Sequence, residues 1–201
     1  MRKPQKILLG VLWLIALASL TGFVLLKVAQ NEATAQAAAP QTYFAVPPFS
    51  LTNQYGQEVT NKTLAGQPYV MGLFFSTCGD ACPMLTEHLQ YVQKALGESP
   101  ARIVRITVDP EFDTPERLAG YAKATAADPG RLHLLTGETD EVFEVIGGFR
   151  IAAGRRVGDE LPTHGNTFLL VDGHGNVRGT YDGLAEEEMA NLLSDIRRLT
   201  N

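Results

Sequence analysis

Cysteine is nearly absent from this 201-residue chain. There are two, four positions apart, and no others from which a cross-linked framework or a four-cysteine metal site could be built. Tryptophan occurs once, at Trp13, and charge is sparse, with 22 acidic residues against 17 basic and a net of −5. No basic run or aromatic-interleaved basic patch appears, which argues against a nucleic-acid surface. Internal repeats and long low-complexity segments are also missing. With 45% hydrophobic residues, the chain has material for an export segment and one domain.

Uncharged apolar sequence is concentrated at the start. Residues 1–6 are basic, with Arg2, Lys3 and Lys6, and twenty uncharged residues follow from Ile7 to Leu26 before Lys27. A bilayer span needs about 20 apolar residues, whereas a cleaved signal core has roughly 7–15. The pattern therefore predicts a cytoplasmic N-terminus (1–6) and a transmembrane anchor (7–28). Small residues at Ala33-Thr34-Ala35 and Ala37-Ala38-Ala39 leave signal cleavage as the alternative. Residues 29–48 read as an Ala- and Gln-rich flexible linker ending in prolines, and 49–201 as the folded domain. This single-pass arrangement places the domain on the outer, periplasmic face of a bacterial cytoplasmic membrane.

Both cysteines lie in Phe74-Phe75-Ser76-Thr77-Cys78-Gly79-Asp80-Ala81-Cys82-Pro83-Met84. The apolar run Tyr69–Phe75 before them has strand character. After them, Leu85, Leu89, Val92 and Leu96 share a helical face that stops at Gly97. The spacing predicts both cysteines on the first helical turn, where free N–H groups favour a thiolate. There Cys78 and Cys82 would make a disulfide, a redox-active pair or two soft metal ligands. A structural staple across so short a loop would add little stability.

The rest alternates strands and helices. Phe49–Thr52 and Glu58–Thr60 form a small hairpin; Arg102–Val108 and Leu132–Leu135 are strands. A helix capped by Asp113 or Thr114, with Pro115 first, runs to about Thr125. Another, capped by Thr139 or Asp140, ends at Gly147-Gly148. Thr167–Val171 and Val177–Tyr181 make a late hairpin, and Glu186–Leu199 an amphipathic closing helix. These elements predict an α/β sandwich, a mixed central sheet flanked by helices with an N-terminal hairpin, suggesting a thioredoxin-like fold preceded by one transmembrane helix.

Of four histidines, His88 is placed on a solvated helix face, His133 within a packed or edge strand, and His174 at an exposed hairpin tip. His164, in Leu161-Pro162-Thr163-His164-Gly165-Asn166, sits on a loop entering an apolar strand, a usual place for a ligand. Two thiolates and an imidazole suit copper, Cu(I) or Cu(II), whereas structural zinc wants a fourth ligand. Met84 could add a thioether, but reads as helix packing.

The chain resembles the Sco/SenC family of membrane-tethered, thioredoxin-like copper proteins that assist cytochrome c oxidase assembly. The likeness runs from about Phe49 to Leu199. It rests on Cys78-Gly79-Asp80-Ala81-Cys82-Pro83, on Val108-Asp109-Pro110-Glu111-Phe112-Asp113-Thr114-Pro115, and on His164 before Phe168-Leu169-Leu170-Val171-Asp172. It implies Cys78, Cys82 and His164 as copper ligands, with the cysteines cycling between dithiol and disulfide. Three positions depart from the family pattern: Gly79 for proline, Thr163 for aspartate and Gly165 for serine. The implied function is a metallochaperone that delivers copper to the binuclear copper site of the oxidase. Its implied partners are the copper-bearing subunit and an upstream copper donor or thiol reductant. The alternatives are a thiol–disulfide oxidoreductase acting through Cys78 and Cys82, and a redox sensor.

Overall fold

The computed structural model describes residues 12–13, 16–27, 41–79, 82–125 and 128–200, without the side chain of Cys82. The chain divides into two units, Met1–Ala39 and Pro40–Asn201. In the first, residues 16–27 form a helix (α1), exposed throughout. Among the described residues no helix is long and apolar enough to cross a membrane. The predicted anchor, 7–28, lies partly outside the described residues.

In the second unit, β4 (Tyr69–Phe74) is the central strand, with all six residues buried. It can be apolar on both sides because helices cover both faces of the sheet. Parallel to it runs β5 (Arg102–Thr107), and parallel to that β6 (Leu132–Thr136). The late hairpin, β9 (Thr167–Val171) and β10 (Asn176–Asp182), lies antiparallel on the other side of β4. The first hairpin, β2 (Ser50–Asn53) and β3 (Glu58–Thr60), joins beyond β6. With β1 (Phe44–Ala45) on β10, the sheet order is β1-β10-β9-β4-β5-β6-β2-β3.

One face is covered by α3 (Cys82–Leu96), α4 (Pro115–Ala124) and α6 (Glu186–Thr200). Their Leu85, Leu89, Val92, Leu118 and Leu192 pack on Val70, Phe74 and Ile103. The other face packs on α5 (Thr139–Gly148) through Val142, Val145 and Ile146, and on α2 (Asn61–Leu64) through Leu64. This is the mixed, helix-flanked sheet that the sequence predicts.

Several local expectations change. The linker reading extended to residue 48, but Phe44 and Ala45 pair with β10 and Val46 is buried. α2 was not anticipated; Thr60 and Thr63 cap it reciprocally, a device that needs only one turn. Thr114 caps α4 through the Arg117 N–H, with Pro115 first, as read. α5 is instead preceded by Glu138 with no side-chain cap, and Thr139 is its first helical residue, its hydroxyl donating to Glu111. Nor do Gly147 and Gly148 stop that helix, which takes both and closes at Phe149.

Candidate metal centre

The thiol end of the site leaves the C-terminal end of β4. Phe75 is buried, and the Cys78 N–H donates to the Phe75 carbonyl at 3.2 Å, closing a turn. Cys78 therefore sits in the loop ahead of α3, and only Cys82 opens the helix, correcting the prediction that both lie on its first turn. Cys78 is half-buried, packs against the hydrophobic layers on both sheet faces, and is a free thiol among the described residues.

This loop is held from below by Asp113, which is fully buried. Its carboxylate accepts the Ser76 N–H at 3.0 Å, the Ser76 hydroxyl and the Thr107 hydroxyl. Ser76 is two residues before Cys78, so the loop's departure from the sheet is set by a buried, charge-assisted network.

His164 arrives from the other side of the sequence. It lies not in an open loop but in β8 (Thr163–His164), which pairs with β7 (Ala153–Gly154) as a separate two-stranded ribbon. Segments this short show no readable alternation in sequence. The imidazole stands edge-on to the Phe75 ring, 5.8 Å between centroids, and so reaches the residue from which the thiol loop departs. Its Nδ1 lies 2.9 Å from the Gly165 carbonyl. A carbonyl only accepts, so Nδ1 carries the proton and Nε2 holds the lone pair that a metal would use. Burial pushes the His164 pKa below its ordinary value of 6.5, Arg105 adds to this, and the bond to Gly165 opposes it. Burial thus favours the neutral form of the ring.

Arg105 is a buried cation with no carboxylate partner among the described residues. It donates to the Thr86 hydroxyl at 3.0 Å and the Leu73 carbonyl at 3.3 Å, and its guanidinium lies over Phe74 at 4.6 Å. Thr86 is one helical turn beyond Cys82. Neither the composition nor the alternation of β5 marks Arg105 in the sequence.

Among the described residues, which exclude the Cys82 side chain, no three His, Cys, Asp or Glu side chains converge on one point. The other histidines are elsewhere. His88 is half-buried with Nδ1 2.7 Å from the Gly183 carbonyl, so it pins α3 to the turn after β10 and is not the solvated residue expected. His133 is half-buried in β6, and His174 is exposed at its hairpin tip, both as read. Met84 points outward, 51% exposed, where the sequence suggested packing, because Leu85 takes the core-facing position.

The SCO1/SenC family model matches residues 37–201. The SCO1 protein homolog of Bacillus subtilis is 28% identical over 158 residues, covering 77% of this chain and 82% of that protein. BsSco, described as having a disulfide switch and as a member of the Sco family of cytochrome c oxidase assembly proteins, superposes with a TM-score of 0.72. It is 28% identical, over 83% of this chain and 98% of that one. Copper-bound ScoI of Bradyrhizobium japonicum gives 0.66 at 29% identity, over 78% and 99%.

Proposed function

Because the chain belongs to the SCO1/SenC family and has its thioredoxin-like fold, we propose that it binds copper and serves cytochrome c oxidase assembly. Its binding set is Cys78, Cys82 and His164. The observation that carries this reading is the imidazole packed on Phe75, at the base of the thiol loop.

Copper is the cargo of this protein. In the reduced state the two thiolates supply soft ligands and Nε2 of neutral His164 the third. Two thiolates and Cu(I) sum to −1. Three protein ligands leave one side open for ligand exchange with the copper-bearing oxidase subunit, so that copper passes without release into water. Oxidation of the two thiols to a disulfide withdraws both soft ligands, and uptake therefore requires a thiol reductant. The apolar segment at residues 7–28 tethers the domain to the membrane on the side where its client lies, which raises the effective concentration of donor and acceptor.

The test is titration of the fully reduced chain with Cu(I) and with Cu(II), beside His164→Ala. The expected result is one-to-one binding that weakens at least about tenfold in the variant. Binding indifferent to residue 164, together with rapid reduction of a test disulfide, would replace this reading with a thiol–disulfide oxidoreductase.

A further inference from the structure

The hairpin that carries His164 has little to hold it in place on its own. Its strands, β7 and β8, are two residues each, and 157–161 between them are exposed, Val157 at 68% and Leu161 at 54%. A two-stranded ribbon this short is not stable in isolation. Two arginines tie it to the main body. Arg155 meets Asp140 of α5 at 2.7 Å and lies over the Phe143 ring at 4.6 Å, but the Asp140 carboxylate is 92% exposed, and an exposed ion pair contributes little. Arg156 meets Asp109 differently. Asp109 is buried, and Arg156 engages both its oxygens, Nε at 3.0 Å from one and Nη2 on the other. A planar fork on a buried carboxylate fixes direction as well as distance.

Asp109 is itself fixed. Its N–H donates to the Thr107 hydroxyl at 3.0 Å, and its carbonyl accepts from Phe112 at 3.1 Å and Asp113 at 2.8 Å. The next aspartate of that turn, Asp113, is the one that holds Ser76 and the thiol loop. One turn at the end of β5 therefore grips both halves of the site, the sulfur side through Asp113 and the imidazole side through Asp109.

We propose that Arg156 and Asp109 form a latch that seats the His164 hairpin against the end of β5, making Arg156 a positioning residue for the imidazole. The latch rests on the contacts described. Its consequence for metal binding rests on the reading of Cys78, Cys82 and His164 as ligands.

The test uses the full reduced chain and two variants, Arg156→Gln and the paired Asp109→Asn/Arg156→Gln. The pair removes the latch without leaving a buried carboxylate unpartnered, so a folding defect in the single variant does not stop the experiment. Amide hydrogen exchange across 153–165 is expected to accelerate at least about tenfold in the pair, with 75–79 unchanged. Cu(II), used as the probe, is expected to bind about tenfold more weakly and with a weakened thiolate-to-copper charge-transfer band. In a His164→Ala background the same two substitutions should move affinity by no more than about twofold, since the ring they position is gone. Unchanged exchange across 153–165, or a loss of copper affinity as large without His164 as with it, overturns the latch. Should His164→Ala alone leave Cu(II) binding intact, the metal-binding reading fails, and the exchange result still decides the latch.

Discussion

The segment that carries Cys78 leaves a six-residue strand buried along its whole length, whereas the segment that carries His164 belongs to a hairpin of two-residue strands with an exposed tip. The sulfur end is positioned by the hydrophobic core and by a carboxylate buried in it. The imidazole end is positioned by its edge-on contact with Phe75 and by hairpin arginines that reach Asp109 and Asp140 of the main body. A site built this way has one stiff wall and one hinged wall.

The largest expected effect falls on the stiff side. Cys78→Ser or Cys82→Ser should abolish copper binding while leaving the far-UV circular dichroism of the chain unchanged. A single variant that unfolds would make the pair a structural staple and break the comparison. Asp113→Ala should come next. It strands the Ser76 N–H and hydroxyl and the Thr107 hydroxyl, and urea denaturation should show a loss of about 3 kcal/mol.

Acid should act more gently. His133 in β6 and His164 in β8 both have pKa values held below the ordinary 6.5. Burial is the main cause in each, helped by Arg102 for His133 and by Arg105 for His164. The unfolded chain therefore binds more protons than the folded one in the window between the depressed values and 6.5. Stability is fully present above that window and is lost as pH falls through it. Denaturant midpoints at pH 7.5 and 5.0 should differ accordingly. His133→Gln should remove its own share of the acid sensitivity without touching copper uptake at pH 7.5, and His164→Gln should remove its share while weakening uptake.

The smallest effect is expected at Gly165, one of the departures from the family pattern. A Cβ built there meets only ordinary contacts, 3.8 Å from the Ala152 carbonyl and from Ile151. Gly165→Ser should change stability by less than about 0.5 kcal/mol in the same denaturation assay. A large change would mean that the hinged wall is packed as tightly as the stiff one.

How far these features can be read in sequence follows the same division. The strand before Cys78 and the helix after Cys82 are legible because their signals are local: a continuous apolar run, then four apolar residues at helical spacing stopped by Gly97, which has φ +53°. The Thr114 cap with Pro115 behind it is legible for the same reason. β7, β8 and α2 are not, since two to four residues carry no period. His88 reads as solvated because its partner, the Gly183 carbonyl, lies 95 residues away. Arg156 carries no signal at all, being one of two adjacent arginines in a polar stretch whose target is 47 residues earlier.

By itself, then, the sequence determined the order of the longer strands and helices, the apolar start of the chain, and the identity of two sulfurs and one imidazole as the groups worth pairing. Only the tertiary structure decided that Cys78 stands ahead of its helix, that Arg105 lies buried without a carboxylate partner among the described residues, and that one turn holds both the Cys78 loop and the His164 hairpin. The physical reason is range. Hydrophobic periodicity and capping act over a few residues and leave their mark in the chain. The contacts that aim a side chain join residues tens of positions apart, which nothing short of the folded packing can bring together.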